Sequence, residues 1–512
     1  MIGVLGAGTM GSGIAQLAAQ SGDGAVVWDP VDGAAERGVE RALAGVEQLR
    51  AKGRFDGDAA TLRVTASLEE LAGCEVVVEA APESLEVKHD LVRRVFAAAP
   101  DTVFASNTSS IPITSIAAAA PDPSRVVGMH FFNPPPLMRL VEVIAALQSS
   151  REAVATARAL GERMGKSVID AADVPGFLVN RCARPFGLEA LRLLQERVAD
   201  VETIDRCVRA AGFRMGPFEL QDLVGIDTGF AVSRSFAELS FGEPRWRPSP
   251  LAAQKVAAGQ FGRKSGQGWY RYEDGLPYRA DDPPPPQPGA PEGGGLVVVA
   301  GHLPVMDELA GLADAAGWDV ADEEGAAGEV PWLIVDGGGA ELPLQGGPQV
   351  VLCAEGSLHA LDPSGSSAGF HWLTGSTLVE LTRMSTTTTL AAQRAEAFFA
   401  SLGLATAWVG DAPGLVLGRI VCQLINECAF AVAEGVGSAA DVDAGLELGL
   451  NHPRGALGWA DELAPAHVML VLEALRSERG DAYRPAPLLQ QLVASGEGFH
   501  GEGPHEEEVV VV

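Results

Sequence analysis

The first 29 residues constrain the fold most: IGVL, GAGTMG, SGIAQLAAQSG and AVVWD follow one another as an apolar run, a glycine-rich turn, a helical stretch and a second apolar run ending in an acid. Two short apolar runs joined by a helical segment read as strand, crossover and parallel strand, which commits this part of the chain to a parallel sheet covered by helices. Within the turn, Gly6 permits the tight reversal, Gly8 lets backbone N–H groups approach a pyrophosphate, and Gly11 lets the helix lie close to the strand. Thr9 and Met10 open the helix, whose N-terminal N–H groups aim at the same place. Asp29, closing the second strand, would accept hydrogen bonds from adenosine ribose hydroxyls and repel a 2′-phosphate, so the expected cofactor is NAD rather than NADP. The bland alternative is a glycine-rich turn that holds nothing.

Alternating strands and helices continue to about residue 150. Residues 33–55 form an amphipathic helix ending in Arg50, Lys52 and Arg54. CEVVVEAA, Cys74 to Ala81, is a buried strand, and Pro82-Glu83-Ser84 starts a helix carrying Lys88. Val103 to Ser106 is a further strand that ends in Asn107-Thr108-Ser109-Ser110; these polar groups either meet a ligand or cap the next element. In VVGMHFFNPPPLMRLVEVI a strand from Val126 brings His130 to the carboxyl edge of the sheet, where ligands bind in open α/β folds. Asn133-Pro134-Pro135-Pro136 forces a turn, and the next strand, Leu140 to Ile144, can return Glu142 to the imidazole. A carboxylate on one ring nitrogen leaves the other to take a proton, which makes the pair a candidate general base. A core histidine beside an edge glutamate is the competing reading. Beyond residue 150 helices dominate, beginning at DVPGFLVNR, where Asn180 falls in the first turns of a helix.

At 512 residues the chain needs more than one core. Its 37 basic and 67 acidic residues give a net charge of −30, which argues against nucleic acid and anionic membrane as partners. An anionic substrate would then need locally gathered Lys and Arg. Six cysteines without a CxxC pair or dense spacing read as reduced core thiols. With no signal-peptide pattern and no long apolar run, a soluble cytoplasmic protein is expected.

Six phrases, GAGTMGSGIAQ, EAAPESLEVK, ASNTSSIPITSIA, GMHFFNPPPLMRLVEVI, DVPGFLVNR and MGPFELQDLVGID, stand here in the order found in the L-3-hydroxyacyl-CoA dehydrogenase family, and the chain resembles its long bacterial type with two helical C-terminal domains. The resemblance implies an N-terminal Rossmann domain that binds NAD, and an acyl-CoA thioester as substrate. It implies His130 as catalytic base and Glu142 as its orienting acid, with Ser109 and Asn180 holding substrate. For the cofactor it implies Gly6, Gly8, Thr9, Met10, Gly11, Asp29 and Asn107, with Glu83, Lys88 and Asn133 nearer the nicotinamide ribose. Lys52 aligns with a CoA-contacting lysine. The family's usual run of lysines is thinner here.

The second half repeats the first. Asp173 to Arg181 answers to Asp411 to Arg419 at an offset of 238, and Gly216 and Asp222 answer to Gly455 and Asp461 at 239. GMHFF and LVEV around His130 and Glu142 answer to GFHWL and LVEL around His371 and Glu380, with the spacing shortened from twelve to nine. GHLPVM replaces the glycine fingerprint and Gly418 replaces Asn180, so this half should not catalyse. The expected order is therefore a Rossmann domain (1–170), a helical domain (171–275), a Pro-rich, extended and exposed linker (276–295), a degenerate Rossmann-like segment (296–410), a second helical domain (411–496) and a frayed tail (497–512). The two helical domains should pack as an intrachain pseudo-dimer. Functionally the expectation is oxidation of a 3-hydroxyacyl-CoA in acyl-CoA degradation, with 3-hydroxyadipyl-CoA of phenylacetate breakdown or 3-hydroxybutyryl-CoA as substrate. A catalytically silent NAD-binding structural protein is the alternative of another class.

Overall fold

The computed structural model describes residues 1–290, 294–322, 330–338 and 346–501. Contacts gather the chain into two units, residues 1–181 with 434–451, and residues 182–433 with 452 onward.

The first unit alternates β1 (Ile2–Leu5), α1 (Thr9–Ser21), β2 (Ala25–Trp28), α2 (Ala34–Ala51), β3 (Leu62–Thr65), β4 (Val76–Glu79), α3 (Leu85–Ala98), β5 (Val103–Ser106), α4 (Ile113–Ala117), β6 (Val126–Phe131), β7 (Leu140–Ala145), α5 (Arg151–Arg163) and β8 (Ser167–Ala172), and ends in α6 (Val179–Cys182). The sheet runs β3-β2-β1-β4-β5-β6-β7-β8. All its neighbours are parallel except β6 and β7, which pair antiparallel. The strands β1, β2, β4 and β5 are buried throughout, as continuous apolar runs covered on both faces must be. The strand order reverses between β1 and β4, so the glycine-rich turn after β1 lies at the switch point, at the carboxyl edge. The weakly apolar β3 has no strong sequence signal and is an addition to the expected elements.

The second unit begins with α7 (Arg184–Gln195), α8 (Val201–Ala210), α9 (Pro217–Val224), α10 (Ile226–Leu239) and α11 (Pro250–Ala257). A second sheet comes next, built from β9 (Leu296–Ala300), α12 (Pro304–Ala316), β10 (Asp319–Ala321), β11 (Leu333–Asp336), β12 (Gln349–Leu352), α13 (Leu358–Leu361), β13 (Ala368–His371), β14 (Leu378–Arg383), α14 (Thr389–Ser401) and β15 (Ala405–Trp408). Its order, β10-β9-β11-β12-β13-β14-β15, reproduces that of the first sheet without a counterpart of β3, again with one antiparallel pair, β13 and β14. The helix α15 (Leu417–Ala433) is buried over most of its length and packs on α7. Thus a Rossmann-like parallel sheet, a helical domain, a second sheet and further helices make up the chain.

The next helix, α16 (Ala439–Leu450), joins the first unit. The Ala172 N–H donates to the Val436 carbonyl at 2.9 Å, and α16 lies against β7 and β8. Its close approach depends on glycine: a Cβ at Gly445 would stand 2.7 Å from Val179 Cγ2, and one at Gly449 2.8 Å from Leu140 Cδ2. The chain ends with α17 (Ala456–Leu463), α18 (Pro465–Arg479) and α19 (Pro487–Ser495) in the second unit.

Two expectations change. The linker is exposed over much of its described length but tethered: Asp282 pairs with Arg209 at 2.7 Å, and the Gly289 and Ala290 N–H groups donate to Ser401 and Ala316 at 2.8 and 2.9 Å. The tail is not frayed through residue 501, because Asp461 accepts from the Phe499 and His500 N–H groups at 2.6 and 3.0 Å. Asp222 takes the Trp269 and Tyr270 N–H groups in the same way, both at 2.9 Å, so GQGWY and GEGFH are counterparts. Residues 502–512 lie outside the described residues.

Gly445→Leu should overpack the contact with Val179 and lower stability in chemical denaturation by about 1–3 kcal/mol. Gly229→Ala, in α10 with nothing within 4 Å of its added Cβ, should leave stability unchanged or raise it.

Candidate active site

At the glycine-rich turn each glycine meets a different demand. Gly6 holds φ +89°, and a Cβ there would stand 2.6 Å from the Ala80 carbonyl oxygen. A Cβ on Gly11 would lie 1.8 Å from the Gly6 carbonyl oxygen, so the helix approaches the turn only without a side chain. Gly8 has nothing within 4 Å and caps α1 without a side-chain hydrogen bond, which leaves the helix's first N–H groups facing open space. Thr9 is exposed and Met10 half-buried beside it. Asp29 fixes the second strand's end to the turn, its Oδ2 accepting from Ala7 N–H at 2.8 Å and its Oδ1 from Val31 N–H at 2.9 Å. A cavity of about 790 Å³ opens here, walled among others by Gly8, Trp28, Asp29, Ala80 and Arg94. Open N–H donors for a diphosphate, a carboxylate for ribose and an apolar slot fit NAD.

Beside this turn lies a buried charge cluster that the sequence reading missed. Glu79, fully buried at the end of β4, accepts from the Lys88 ammonium at 2.8 and 2.9 Å, from Ala81 N–H at 2.7 Å and from the Ser106 hydroxyl at 2.6 Å. The Lys88 side chain is itself buried, and its ammonium also lies 3.5 Å from Glu83. Glu83 accepts from the Thr108 and Ser110 hydroxyls at 2.6 and 2.8 Å and from the Ser109 and Ser110 N–H groups at 3.1 and 3.0 Å. Burial pushes the Glu83 carboxyl up, but these hydrogen bonds and the Lys88 charge outweigh it and hold the group below the usual range. The signal available in sequence was an acid closing a fully apolar strand, as Asp29 does on β2.

Asn107 Oδ1 accepts from Phe131 N–H at 2.8 Å and clips the end of β5 to β6. The Ser109 side chain is exposed above Glu83, and Asn133 is exposed after β6, before a cis bond to Pro134. Lys166 steadies this turn, donating to the Pro135 and Met138 carbonyls at 2.7 Å each, and burial lowers it to about 8. Lys52 is exposed at the end of α2, while Arg50 next to it is taken by Glu47 at 2.6 Å.

His130 and Glu142 stand directly opposite in the β6·β7 pairing. Glu142 is fully buried; its Oε2 lies 2.6 Å from His130 Nδ1, and its Oε1 accepts from the Leu178 and Val179 N–H groups at 3.1 and 2.9 Å. A carboxylate there makes Nδ1 the donor and leaves Nε2 with its lone pair. The rings of Phe132 and Phe177, with centroids 4.7 and 5.8 Å away, flank the imidazole. Asp173 anchors the loop that supplies the two N–H groups, accepting from Ile113 and Thr114 N–H at 2.8 and 2.7 Å. Asn180, half-buried, comes immediately after in α6.

In the second half His371 again stands opposite Glu380, and Glu380 accepts from the Val416 and Leu417 N–H groups at 2.8 Å each. The imidazole, however, has left it: His371 Nε2 lies 3.2 Å from His467 Nε2, and Nδ1 has no hydrogen-bond partner among the described residues. The ring occupies the space above Gly418, where a Cβ would stand 2.1 Å from His371 Cε1. Burial and the neighbouring His467 hold His371 well below the usual histidine range, and burial raises Glu380 to about 7. Neither group is set up to pass a proton to a ligand.

Two family models match. That described as the 3-hydroxyacyl-CoA dehydrogenase NAD binding domain covers residues 1–174, and that of the C-terminal domain covers residues 176–272 and again 414–503. The 3-hydroxyadipyl-CoA dehydrogenase of Escherichia coli K12 is 32% identical over 97% of this chain and 98% of its own length. A probable 3-hydroxybutyryl-CoA dehydrogenase of Deinococcus radiodurans is 41% identical, with 99% of its length on 53% of this chain. A crystal structure described as 3-hydroxybutyryl-CoA dehydrogenase from Escherichia coli K12 matches 97% of this chain and 99% of its own at 30% identity, with a TM-score of 0.80.

Since Glu380 in the folded chain titrates near 7 rather than at the usual 4.5, folding takes up a proton between those values; the stability this contributes is present below pH 4.5 and lost as pH rises through about 7. Glu380→Gln removes that dependence, so in urea unfolding across this window the wild type should lose about 1.4 kcal/mol per pH unit relative to the variant, with no further change above it.

Proposed function

The chain belongs to the 3-hydroxyacyl-CoA dehydrogenase family, and on that premise we propose that His130 and Glu142 carry the proton chemistry of the NAD-dependent oxidation of an L-3-hydroxyacyl-CoA to the 3-ketoacyl-CoA. The observation that carries the reading is the buried Glu142 carboxylate on His130 Nδ1, at 2.6 Å, which leaves Nε2 as the acceptor.

NAD when bound supplies the hydride acceptor, and Gly6, Gly8, Gly11 and Asp29 hold it. Nε2 of His130 takes the proton of the 3-hydroxyl while the C3–H bond breaks with its electron pair and the carbonyl forms. Glu142 stabilises the imidazolium and fixes the ring's tautomer. The Ser109 hydroxyl and the Asn180 amide donate to substrate oxygens. Glu83, kept ionised by the hydroxyls and N–H groups around it, sits between the glycine turn and the His130 strand in sheet order and accepts from the nicotinamide ribose. Lys88 acts on this contact through Glu83, and Asn107 through the β6 backbone that it clips. Lys52 meets the CoA moiety as an exposed charge.

The substrate we favour is 3-hydroxyadipyl-CoA of phenylacetate breakdown, supported by the likeness over nearly the whole length to a protein so named. A 3-hydroxybutyryl thioester is the second reading, supported by the full-length structural match to a 3-hydroxybutyryl-CoA dehydrogenase. Six free, buried cysteines and the absence of a membrane-length apolar helix among the described residues support a cytoplasmic setting.

We also infer an intrachain pseudo-dimer of the two helical domains. Arg181 pairs with Glu434 at 2.8 Å, and Arg419 pairs with Glu196 at 2.7 Å. Since 419 − 181 and 434 − 196 are both 238, these are reciprocal contacts, as a two-fold interface requires.

Acetoacetyl-, 3-oxohexanoyl- and 3-oxoadipyl-CoA with NADH test the activity through loss of NADH absorbance; NADH binding without turnover of any of them would favour a silent structural protein. His130→Gln should cut kcat by at least about 10²–10⁴-fold while NADH affinity stays within twofold of wild type, roughly the share of a general base.

A further inference from the structure

Three charged side chains meet at the end of β4, and one charge is left over. Glu79 and Lys88 are buried, and the Lys88 ammonium donates to both oxygens of Glu79, at 2.8 and 2.9 Å. The Ala81 N–H and the Ser106 hydroxyl also donate to that carboxylate. On its other side the ammonium faces Oε2 of Glu83 at 3.5 Å. The hydroxyls of Thr108 and Ser110 and the N–H groups of Ser109 and Ser110 all fall on the second oxygen, Oε1. Two carboxylates thus share one ammonium, and the row Glu79, Lys88 and Glu83 carries one uncancelled negative charge. Glu83 is the member a ligand can reach, its side chain being 38% exposed. Against the effect of burial, the hydrogen bonds on Oε1 and the Lys88 charge keep it ionised.

The second sheet supplies a control. There β11 lies between β9 and β12, as β4 lies between β1 and β5 in the first. Asp336 at its end accepts from the Gly338 N–H at 2.9 Å, two residues on, just as Glu79 accepts from Ala81. Its other partner is the Gln349 amide at 2.7 Å, and no cation pairs with it among the described residues. Burial raises the Asp336 carboxyl, with these hydrogen bonds opposing. An acid without a cation therefore holds the turn after this strand. The ammonium, and with it a charge balance shared among three groups, belongs to the half whose glycine turn is intact.

We propose that the row Glu79–Lys88–Glu83 sets the relative affinity for oxidised and reduced cofactor, its uncancelled negative charge favouring the cationic nicotinamide ring of NAD over the neutral ring of NADH. The proposal rests on the reading in which Glu83 accepts from the nicotinamide ribose. Both cofactor forms carry the same adenosine, diphosphate and riboses, so hydrogen bonds to those parts count equally for each. A fixed charge does not, and beside buried groups it is weakly screened. Glu83 touches the cofactor, whereas Glu79 and Lys88 are positioning residues that act through it: Lys88 weakens the field of Glu83, and Glu79 offsets Lys88. A bias of this sign lowers the affinity for NADH relative to NAD, which eases release of the reduced cofactor once the hydroxyl is oxidised.

The test is the ratio of dissociation constants, NADH to NAD, measured by calorimetry on the full chain beside that of ADP-ribose, which has no nicotinamide. Glu83→Gln makes the row neutral, so the ratio should fall about 3- to 10-fold, what one unit charge exerts across a partly wet gap of roughly 8 Å. Glu79→Gln also makes the row neutral, from a residue that meets no cofactor, and should lower the ratio to the same extent. Adding Lys88→Met to Glu79→Gln restores the single negative charge and should return the ratio to within about twofold of wild type. ADP-ribose affinity reports any structural damage, since it has no ring charge to sense. An unchanged ratio in Glu83→Gln overturns the proposal, as does a fall that Glu79→Gln does not share or that the double variant does not reverse. Should the Glu79 variants fail to bind ADP-ribose, Glu83→Gln alone decides, because its amide oxygen still accepts the four donors and Glu79 keeps Lys88. Equal weakening of NAD and NADH in Glu83→Gln keeps the ribose contact and defeats this proposal alone, whereas no change in either constant defeats the ribose reading as well.

Discussion

One buried carboxylate, Glu142, is the contact on which the site depends. A charge with no exposure to water must be matched by donors, and Glu142 has three: His130 and the N–H groups of Leu178 and Val179. Each donor fixes a different part of the molecule. The histidine sets the register of β6 on β7, the two N–H groups seat the loop after Asp173 at the start of α6, and Val179 is the residue on which Gly445 of α16 closes. Moving any of these removes a donor from a charge that cannot be resolvated.

Glu380 separates the structural part of this arrangement from the chemical part. It keeps the two N–H groups, from Val416 and Leu417, and it keeps its place opposite a histidine. The imidazole instead turns into the space left at Gly418 and meets His467. The carboxyl, with its histidine gone, rises to about 7, the state in which the buried group is most cheaply held. An acid at this point thus seats the loop in both halves, whereas only Glu142 holds the histidine opposite it.

Legibility in the sequence divides along the same line. The glycine turn, the acid ending β2 and the strand–turn–strand around His130 and Glu142 are local patterns with short periods, and the backbone realises them without help from distant residues. The partners of Lys88 could not be read that way. A lysine on a helix looks solvated until Glu79, on a different strand, is known to face it. Nor does any local pattern tell that α16 leaves its own half to cover β7 and β8, or that Asp461 holds the backbone at Phe499. These depend on which elements meet, and the packing of two similar halves decides that.

The packing also bears on what the second half contributes to the first. A chain ending near residue 285 would leave Arg181 without Glu434, at a position where its side chain has almost no exposure to water, and would uncover the faces of Val179 and Leu140 on which Gly445 and Gly449 lie. Val179 supplies one of the N–H groups of Glu142, so the loss would reach the dyad. Within this chain residues 434–451 bring that cover, and neither the turn that GHLPVM occupies nor the His371 imidazole takes part in the pairs Arg181–Glu434 and Arg419–Glu196.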